Sequence, residues 1–392
     1  MSARIDVLHR RAGDAYLFGA VLALLAVGLV MVYSASSVVA YDQLGDSGYF
    51  FKRQAAWIAI GLAAMWLASR IHYRRLRRLA VPLLLVGLVL LVAVLLPGVG
   101  RVAGGARRWI QAGPLSFQPV EAARLALLVY VAHFAARRGL GVRDLARGVV
   151  PPLLVTGIAA ALVLRQPDMG SAMMLVAATV LLLFLAGARI AHLALLAVAA
   201  LPVVAAVIAA ADYRMQRILG FLDPWSDPQG AGFHVIQSLL AFGSGGLLGV
   251  GLGASSQKFY YLPERHTDFI FAIVGEELGL LGTGGLLALF ALFAYRGYRI
   301  ARAAPDRFGA LLAAGITVTI VGQAALNMGV ATGLLPVKGV TLPFISFGGT
   351  SLITTLVQVG ILSNISQYAR APAPAAARRL PAAPTVRAWG AS

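Results

Sequence analysis

Apolar runs of about 20 residues recur along almost the whole chain, the length a helix needs to cross a bilayer. Hydrocarbon offers the backbone no hydrogen-bond partner, so runs of this kind must satisfy their own N–H and C=O groups as helices. We place ten spans, at residues 14–36, 53–69, 79–97, 118–136, 149–165, 169–187, 190–211, 268–295, 308–333 and 345–368. The expected fold class is therefore all-α, a polytopic integral membrane protein with a large outer loop between spans seven and eight. Composition agrees: 59% of the 392 residues are hydrophobic and only 12% charged, about half the charge of a soluble domain. The first run, Tyr16–Tyr33, is too long for a signal peptide and precedes no cleavage pattern, so it reads as span one.

The net charge of +18 could suggest a nucleic-acid partner, but its placement says otherwise. With the N-terminus cytoplasmic, most Lys and Arg fall in residues 1–14, 70–78, 137–148, 188–189, 296–307 and 369–392, all on one side. That is the positive-inside pattern, strongest at Arg70–Arg78, and it also suits contact with anionic lipid. Cysteine is absent, which excludes disulfides and thiolate metal sites. The long loop Asp212–Thr267 is expected outside. Its apolar, glycine-rich part, Phe233–Gly253, reads as an amphipathic or re-entrant segment, because an eleventh span would put the arginines of the tail outside. Residues 1–370 form one membrane domain in this reading, and the Ala/Pro/Arg-rich stretch 371–392 is a disordered cytoplasmic tail.

The ionisable residues gather towards the outer side. The polar stretch Pro263-Glu264-Arg265-His266-Thr267-Asp268 runs straight into span eight, leaving Asp268 at or just inside the membrane surface. A carboxylate there is costly without a task or partner, although an acid at a helix N-terminus is also favoured by the macrodipole. Below it, Ala272, Gly275, Gly279 and Gly282 make a small-residue stripe against which another helix could pack and hold Asp268. Arg53 begins span two, Arg107-Arg108-Trp109 lies in the loop after span three, and Arg217 opens the large loop. Glu121 and Arg124 are spaced to pair on span four, as a structural pair or part of a site, and Asp168 is placed as an N-cap or cavity acid of span six. His266 has no partner at metal spacing, and Phe259-Tyr-Tyr261 reads as an interfacial belt. No Walker A, G-x-S-x-G, H-E-x-x-H or dinucleotide fingerprint occurs. Arginines at a membrane surface suit diphosphate and a nearby acid can take a proton, so the set points to a lipid-linked, pre-activated substrate.

These motifs resemble the SEDS family (shape, elongation, division, sporulation). The resemblance rests on Gly105-Ala-Arg-Arg-Trp109, Phe117-Gln-Pro119, Gln166-Pro-Asp168, Asp227-Pro-Gln-Gly-Ala-Gly232, Leu262–Ala272, Gly275-Glu-Glu-Leu-Gly279 and Leu334–Ser351, in that order. Tyr33-Ser-Ala-Ser36 and Thr332-Gly-Leu-Leu-Pro336 resemble the division branch more than the elongation branch. The resemblance implies a ten-span glycosyltransferase that polymerises lipid II, with lipid II and polyprenyl-diphosphate-linked glycan as substrates. It implies as partners a class B penicillin-binding protein and other divisome proteins. It also places the essential acid on Asp268, as general base or as ligand of a divalent cation, Mg²⁺ or Mn²⁺. Arg53, Arg108 and Arg217 would hold diphosphates, with Glu121, Arg124, Asp168, Glu264, His266, Thr267 and Ser346 around the cavity. Two positions depart from the family pattern: Val120 and Arg124 stand where Ser and Lys are usual, and Phe347 where Tyr is common. A lipid II flippase and a scaffold with a vestigial cavity are the competing readings. Charges clustered towards one face favour the enzyme over alternating access.

Overall fold

The computed structural model describes residues 13–103, 106–113, 115–255, 267–337 and 339–369. Its helices are α1 (Ala15–Leu44), α2 (Tyr49–Arg70), α3 (Arg74–Ala93), α4 (Pro119–Arg138), α5 (Val150–Leu164), α6 (Met169–Leu185), α7 (Ile190–Ala209), α8 (Asp212–Leu222), α9 (Phe233–Gly245), α10 (Ile270–Ala303), α11 (Arg307–Ala331) and α12 (Gly349–Gln367). Each expected span falls on one of these helices, with α8 and α9 inside the expected loop. Among the described residues, seven helical stretches are long and apolar enough to cross a membrane. Helix α6 is shorter, and α2 and α12 carry more polar residues. The polarity of α12 is tolerated because most of it is buried in the bundle: Asn364 accepts from the Tyr73 N–H at 2.8 Å and donates to the Ser69 carbonyl at 2.8 Å.

One addition to the all-α expectation lies between α3 and α4. Three antiparallel strands, β1 (Gly100–Ala103), β2 (Ala106–Ala112) and β3 (Leu115–Phe117), make a small sheet in the order β1-β2-β3. Arg107-Arg108-Trp109 therefore sits on a strand, not in a loop, with Trp109 opposite Arg101 and Ile110 opposite Phe117. The Gly104-Gly105 pair flanked by β-branched and aromatic residues is the hairpin signal that helix-length periodicity hides.

Contacts divide the bundle into two faces. On the basic face Arg296 grips the Asp14 carboxylate through Nε (2.9 and 3.0 Å) and Nη2 (2.5 Å), and the Asp14 N–H donates to Ser366 Oγ at 3.3 Å. Arg307 donates to the carbonyls of Gly139 (3.1 Å) and Ala186 (2.9 Å), and Arg74 to Asp306 (2.9 Å). The beginning of α1 and the end of α12 thus lie on the same face. The sheet, α8, α9 and the α11–α12 loop occupy the other.

Two close approaches shape that second face. The segment following α11 folds back into the bundle, so that Gly28 of α1 lies against the backbone of Phe344 and Ile345; any Cβ there would collide with it. Helix α10 is broken at Gly279, whose φ of 64° and ψ of −159° no other residue adopts readily. The break frees main-chain groups, and residues 246–251 satisfy them: Leu280 N–H donates to Gly246 O (3.0 Å), Leu281 to Leu247 (3.2 Å), Val250 to Glu276 (2.9 Å) and Gly251 to Glu277 (3.1 Å). The stripe expected below Asp268 is accordingly interrupted. Gly275 meets Phe242 of α9 and Gly279 meets residues 247–249, whereas beyond the break Gly282 faces Leu278 of its own helix. At 13 residues, α9 is too short to span, and it buries Val235, Ile236, Ser238 and Ala241 in keeping with a segment packed into the bundle.

Candidate active site

Asp268 lies in the turn just before α10, not at its cap, which is Phe269. Asp268 is half-buried, and its turn is tied to α11 and to the folded-back loop, which α2 supports. Ser346, buried in the folded-back loop, donates its hydroxyl to the Thr267 carbonyl at 2.5 Å and accepts from the Leu342 N–H at 2.8 Å. Gln54 of α2, fully buried, reaches the Ser346 carbonyl at 3.3 Å. Asn327 of α11 donates to the Asp268 carbonyl at 2.7 Å. The Asp268 side chain is directed at Gly339, since a Cβ on that glycine would stand 3.2 Å from Oδ2.

Other expected residues converge on the same loop. Asp168 is buried as the N-cap of α6, accepting from Ser171 N–H (3.0 Å) and Ser171 Oγ (2.8 Å). It comes near Gly339 as well, because a Cβ on Gly170 would lie 3.7 Å from Asp168 Oδ1 and 3.8 Å from the Gly339 carbonyl. Glu121 and Arg124 form a buried ion pair on α4, and Arg124 Nη1 also donates to Gln323 Oε1 at 2.8 Å. Gln323 in turn donates to the Thr341 carbonyl at 2.9 Å. Asp168 and Asp268 therefore lie near one loop, residues 339–346, and Glu121 is tied to it through Arg124 and Gln323.

The expected diphosphate-binding arginines are placed differently. Arg108 donates to the Gln166 carbonyl at 3.2 Å and to that of Pro167, bracing the turn that presents Asp168. Two of its donors are thereby taken. Arg53 donates to the Tyr49 hydroxyl at 2.7 Å at the start of α2. Arg217 is exposed on α8, over the Tyr213 ring at 5.9 Å. Glu264 and His266 lie outside the described residues, as do Phe259-Tyr-Tyr261.

Sequence reasoning passed over Gln54, Gln323 and Asn327, and it gave no site role to Glu276 and Glu277, which it noted only within a motif and which are almost wholly buried on α10. Glu277 accepts from Ser34 Oγ at 2.7 Å and from the Ser255 N–H at 3.4 Å, and Glu276 accepts from Ser255 Oγ. Each could have been found as a polar residue inside an otherwise apolar run, where an unpartnered group is expensive. A largely apolar cavity of about 340 Å³ opens between α2, α3, α4 and α12, lined by Leu83, Val86, Leu125 and Val357 and running from Ile71 and Leu76 to Ala122.

The sequence profile of the cell cycle protein family FTSW_RODA_SPOVE matches residues 15–371. The chain is 48% identical to "Probable peptidoglycan glycosyltransferase FtsW" of Geobacter metallireducens, over 88% of this chain and 92% of that one. It is 45% identical to "Stage V sporulation protein E" of Bacillus subtilis, over 89% and 95% respectively. Among solved structures it is similar to a chain described under structural coordination of polymerization and crosslinking by a peptidoglycan synthase complex: TM-score 0.76, 35% identity, 91% of this chain and 98% of that one. It is also similar to the rod shape determining protein RodA of Thermus thermophilus: TM-score 0.66, 31% identity, 92% and 98% covered.

Proposed function

The chain belongs to the FtsW, RodA and SpoVE family of cell cycle proteins, and we infer that it is a multi-pass membrane peptidoglycan glycosyltransferase of the FtsW type. Its greater identity to relatives named FtsW than to the RodA structure supports septal wall synthesis over elongation. We read the basic face as cytoplasmic, with both termini inside, so that the site opens outward. We also read residues 1–370 as one membrane domain with a tail at 371–392. The partner is a class B penicillin-binding protein within the divisome, in line with the synthase complex to which the fold is similar.

In the proposed reaction, a glycan 4-hydroxyl of lipid II attacks the anomeric carbon of the lipid-linked growing chain. The new C–O bond forms as the bond from that carbon to the diphosphate breaks, and polyprenyl diphosphate leaves. Asp268 takes the acceptor proton; a carboxylate whose main chain is held by Asn327, beside a Thr267 carbonyl held by Ser346, is suited to that task. A divalent cation, Mg²⁺ or Mn²⁺, fits the hard oxygen of Asp268, since such ions bind through one or two carboxylates plus substrate phosphates; it would supply charge neutralisation of the leaving group. Arg53 and Arg217 remain the candidates for holding diphosphate, while Arg108, Glu121, Arg124, Asp168, Thr267 and Ser346 shape the wall around Asp268. The apolar cavity between α2, α3, α4 and α12 suits part of a polyprenyl chain.

The placement of Asp268 carries this reading. Polymerisation of purified lipid II by the full-length protein with its partner tests it. Asp268→Asn keeps the shape and loses the basicity, and is expected to cut the rate at least about 10²-fold. Normal polymerisation by that variant would remove Asp268 from the reaction.

A further inference from the structure

Helix α11 turns two buried amides, Gln323 and Asn327, towards the folded-back loop, one helical turn apart. Asn327 Nδ2 donates to the Asp268 carbonyl at 2.7 Å and to the Val340 carbonyl at 2.6 Å. Carbonyls only accept, so the nitrogen must face them, and this one amide joins the residue ahead of α10 to the loop that its side chain meets. Gln323 repeats the device one turn away, between Arg124 and Thr341. Opposite Asn327, Gly339 leaves just enough room. A Cβ there would stand 3.2 Å from Asp268 Oδ2 and within 4 Å of no other described side chain or backbone outside its own neighbours. The methyl of an alanine at Gly339 would meet the Asp268 carboxylate, which must give by a few tenths of an ångström to admit it.

We propose that Asn327 and Gly339 are positioning residues that set where the Asp268 carboxylate stands, Asn327 by clamping its backbone and Gly339 by leaving space for its oxygen. This rests on the reading of Asp268 as the proton acceptor. A base displaced by about 1 Å can lose about 10²-fold in rate, so a displacement of a few tenths of an ångström should cost roughly 10-fold.

The test uses the full-length protein with its partner and purified lipid II. Asn327→Leu and Gly339→Ala should each lower kcat about 10-fold or more, with KM within about two-fold of the parent. Gly339→Ala should keep the parent's thermal midpoint, whereas Asn327→Leu, which strands the carbonyls of Asp268 and Val340, should lower it. In an Asp268→Asn background neither change should lower the residual rate further, because the group being positioned is gone. Losses of equal size in both backgrounds, or losses carried by KM, would mean a general structural role and overturn the proposal. Should Asn327→Leu fail to accumulate, Gly339→Ala decides alone. A slow Asp268→Asn beside wild-type kcat for both positioning variants overturns this proposal and leaves the role of Asp268 standing. A normal Asp268→Asn overturns that role and this proposal with it.

Discussion

The Tyr73 hydroxyl donates to Asp306 Oδ2 at 2.7 Å, joining the turn between α2 and α3 to the N-cap of α11. Arg74 Nε donates to the same oxygen at 2.9 Å, and the Gly309 N–H to Oδ1 at 2.8 Å. Burial pushes the Asp306 carboxyl up, but the hydrogen bonds from Gly309, Tyr73 and Arg74 outweigh it and leave the group below its ordinary value. Burial first, then the hydrogen bond to Asp306 and its charge, raise the Tyr73 phenol. Beside them His72 stacks on Tyr368 at 4.3 Å, and its imidazole is lowered by burial and then by the Arg74 cation.

Acid should therefore loosen this face in two stages. A depressed His72 contributes stability that is present above its unfolded value, about 6.5, and is lost as pH falls through the folded value. The depressed Asp306 acts likewise lower down: its contribution is present above about 3.9 and is lost as pH falls further. Tyr73, being raised, has its contribution in full below about 10 and loses it as pH climbs. Thermal unfolding in detergent should show the midpoint flat between about pH 7 and 9 and falling below about 6.5. Asp306→Asn should remove the lower limb and, by taking away a charge that raises His72, move the His72 limb to lower pH. An unchanged acid profile in that variant would place the acid sensitivity elsewhere.

Gly279 allows a second, sharper prediction. Its φ and ψ lie in a region that costs other residues about 1–3 kcal/mol, and a Cβ would also run into the backbone of Leu247 and Gly249. Gly279→Ala should therefore cost more than the backbone strain alone. Gly285→Ala, beyond the break, would place its Cβ within 4 Å of no other described residue and should be mild. Comparing folded yield and thermal midpoint of the two variants checks this; equal effects would show that the break at Gly279 is not required.

Why was so much of the bundle legible and so little of the site? Span length and hydropathy are properties of single segments, so every expected span falls on a helix. Asp268 was legible because a carboxylate entering an apolar run is expensive wherever it lands. Its supports were not, because they come from α2, α11 and the loop after it, a relation set by packing that no local pattern records. The same holds for Gly279. A glycine on a helical stripe reads as a close-packing residue, and only the partner segment 246–251 turns it into a break. Arg108 shows a further relation that the sequence hides: its strand brings it to the carbonyls of Gln166 and Pro167.

Orientation can be read directly, since the chain has no cysteine to remove. Position 75 lies on the basic face and position 229 on the loop face, both exposed. In intact cells a membrane-impermeant thiol reagent should label Gln229→Cys and spare Arg75→Cys until the membrane is opened. The reverse pattern would turn the protein over and place Asp268 on the cytoplasmic side.

The last prediction concerns the Glu121–Arg124 pair. Both side chains are buried within α4, so each is tolerated because the other is ionised beside it. Removing one alone strands a charge in a low-dielectric interior, at roughly 3–5 kcal/mol. Glu121→Gln and Arg124→Gln should each lower folded yield, and the double change should recover part of the loss. Recovery should stay incomplete, because Arg124 also donates to Gln323, whose other end holds the Thr341 carbonyl in the loop facing Asp268. Activity should therefore return less fully than stability, since pairing can be dispensed with by neutralising both partners while the tie to Gln323 cannot. Strictly additive losses in folded yield would show that Glu121 and Arg124 act separately.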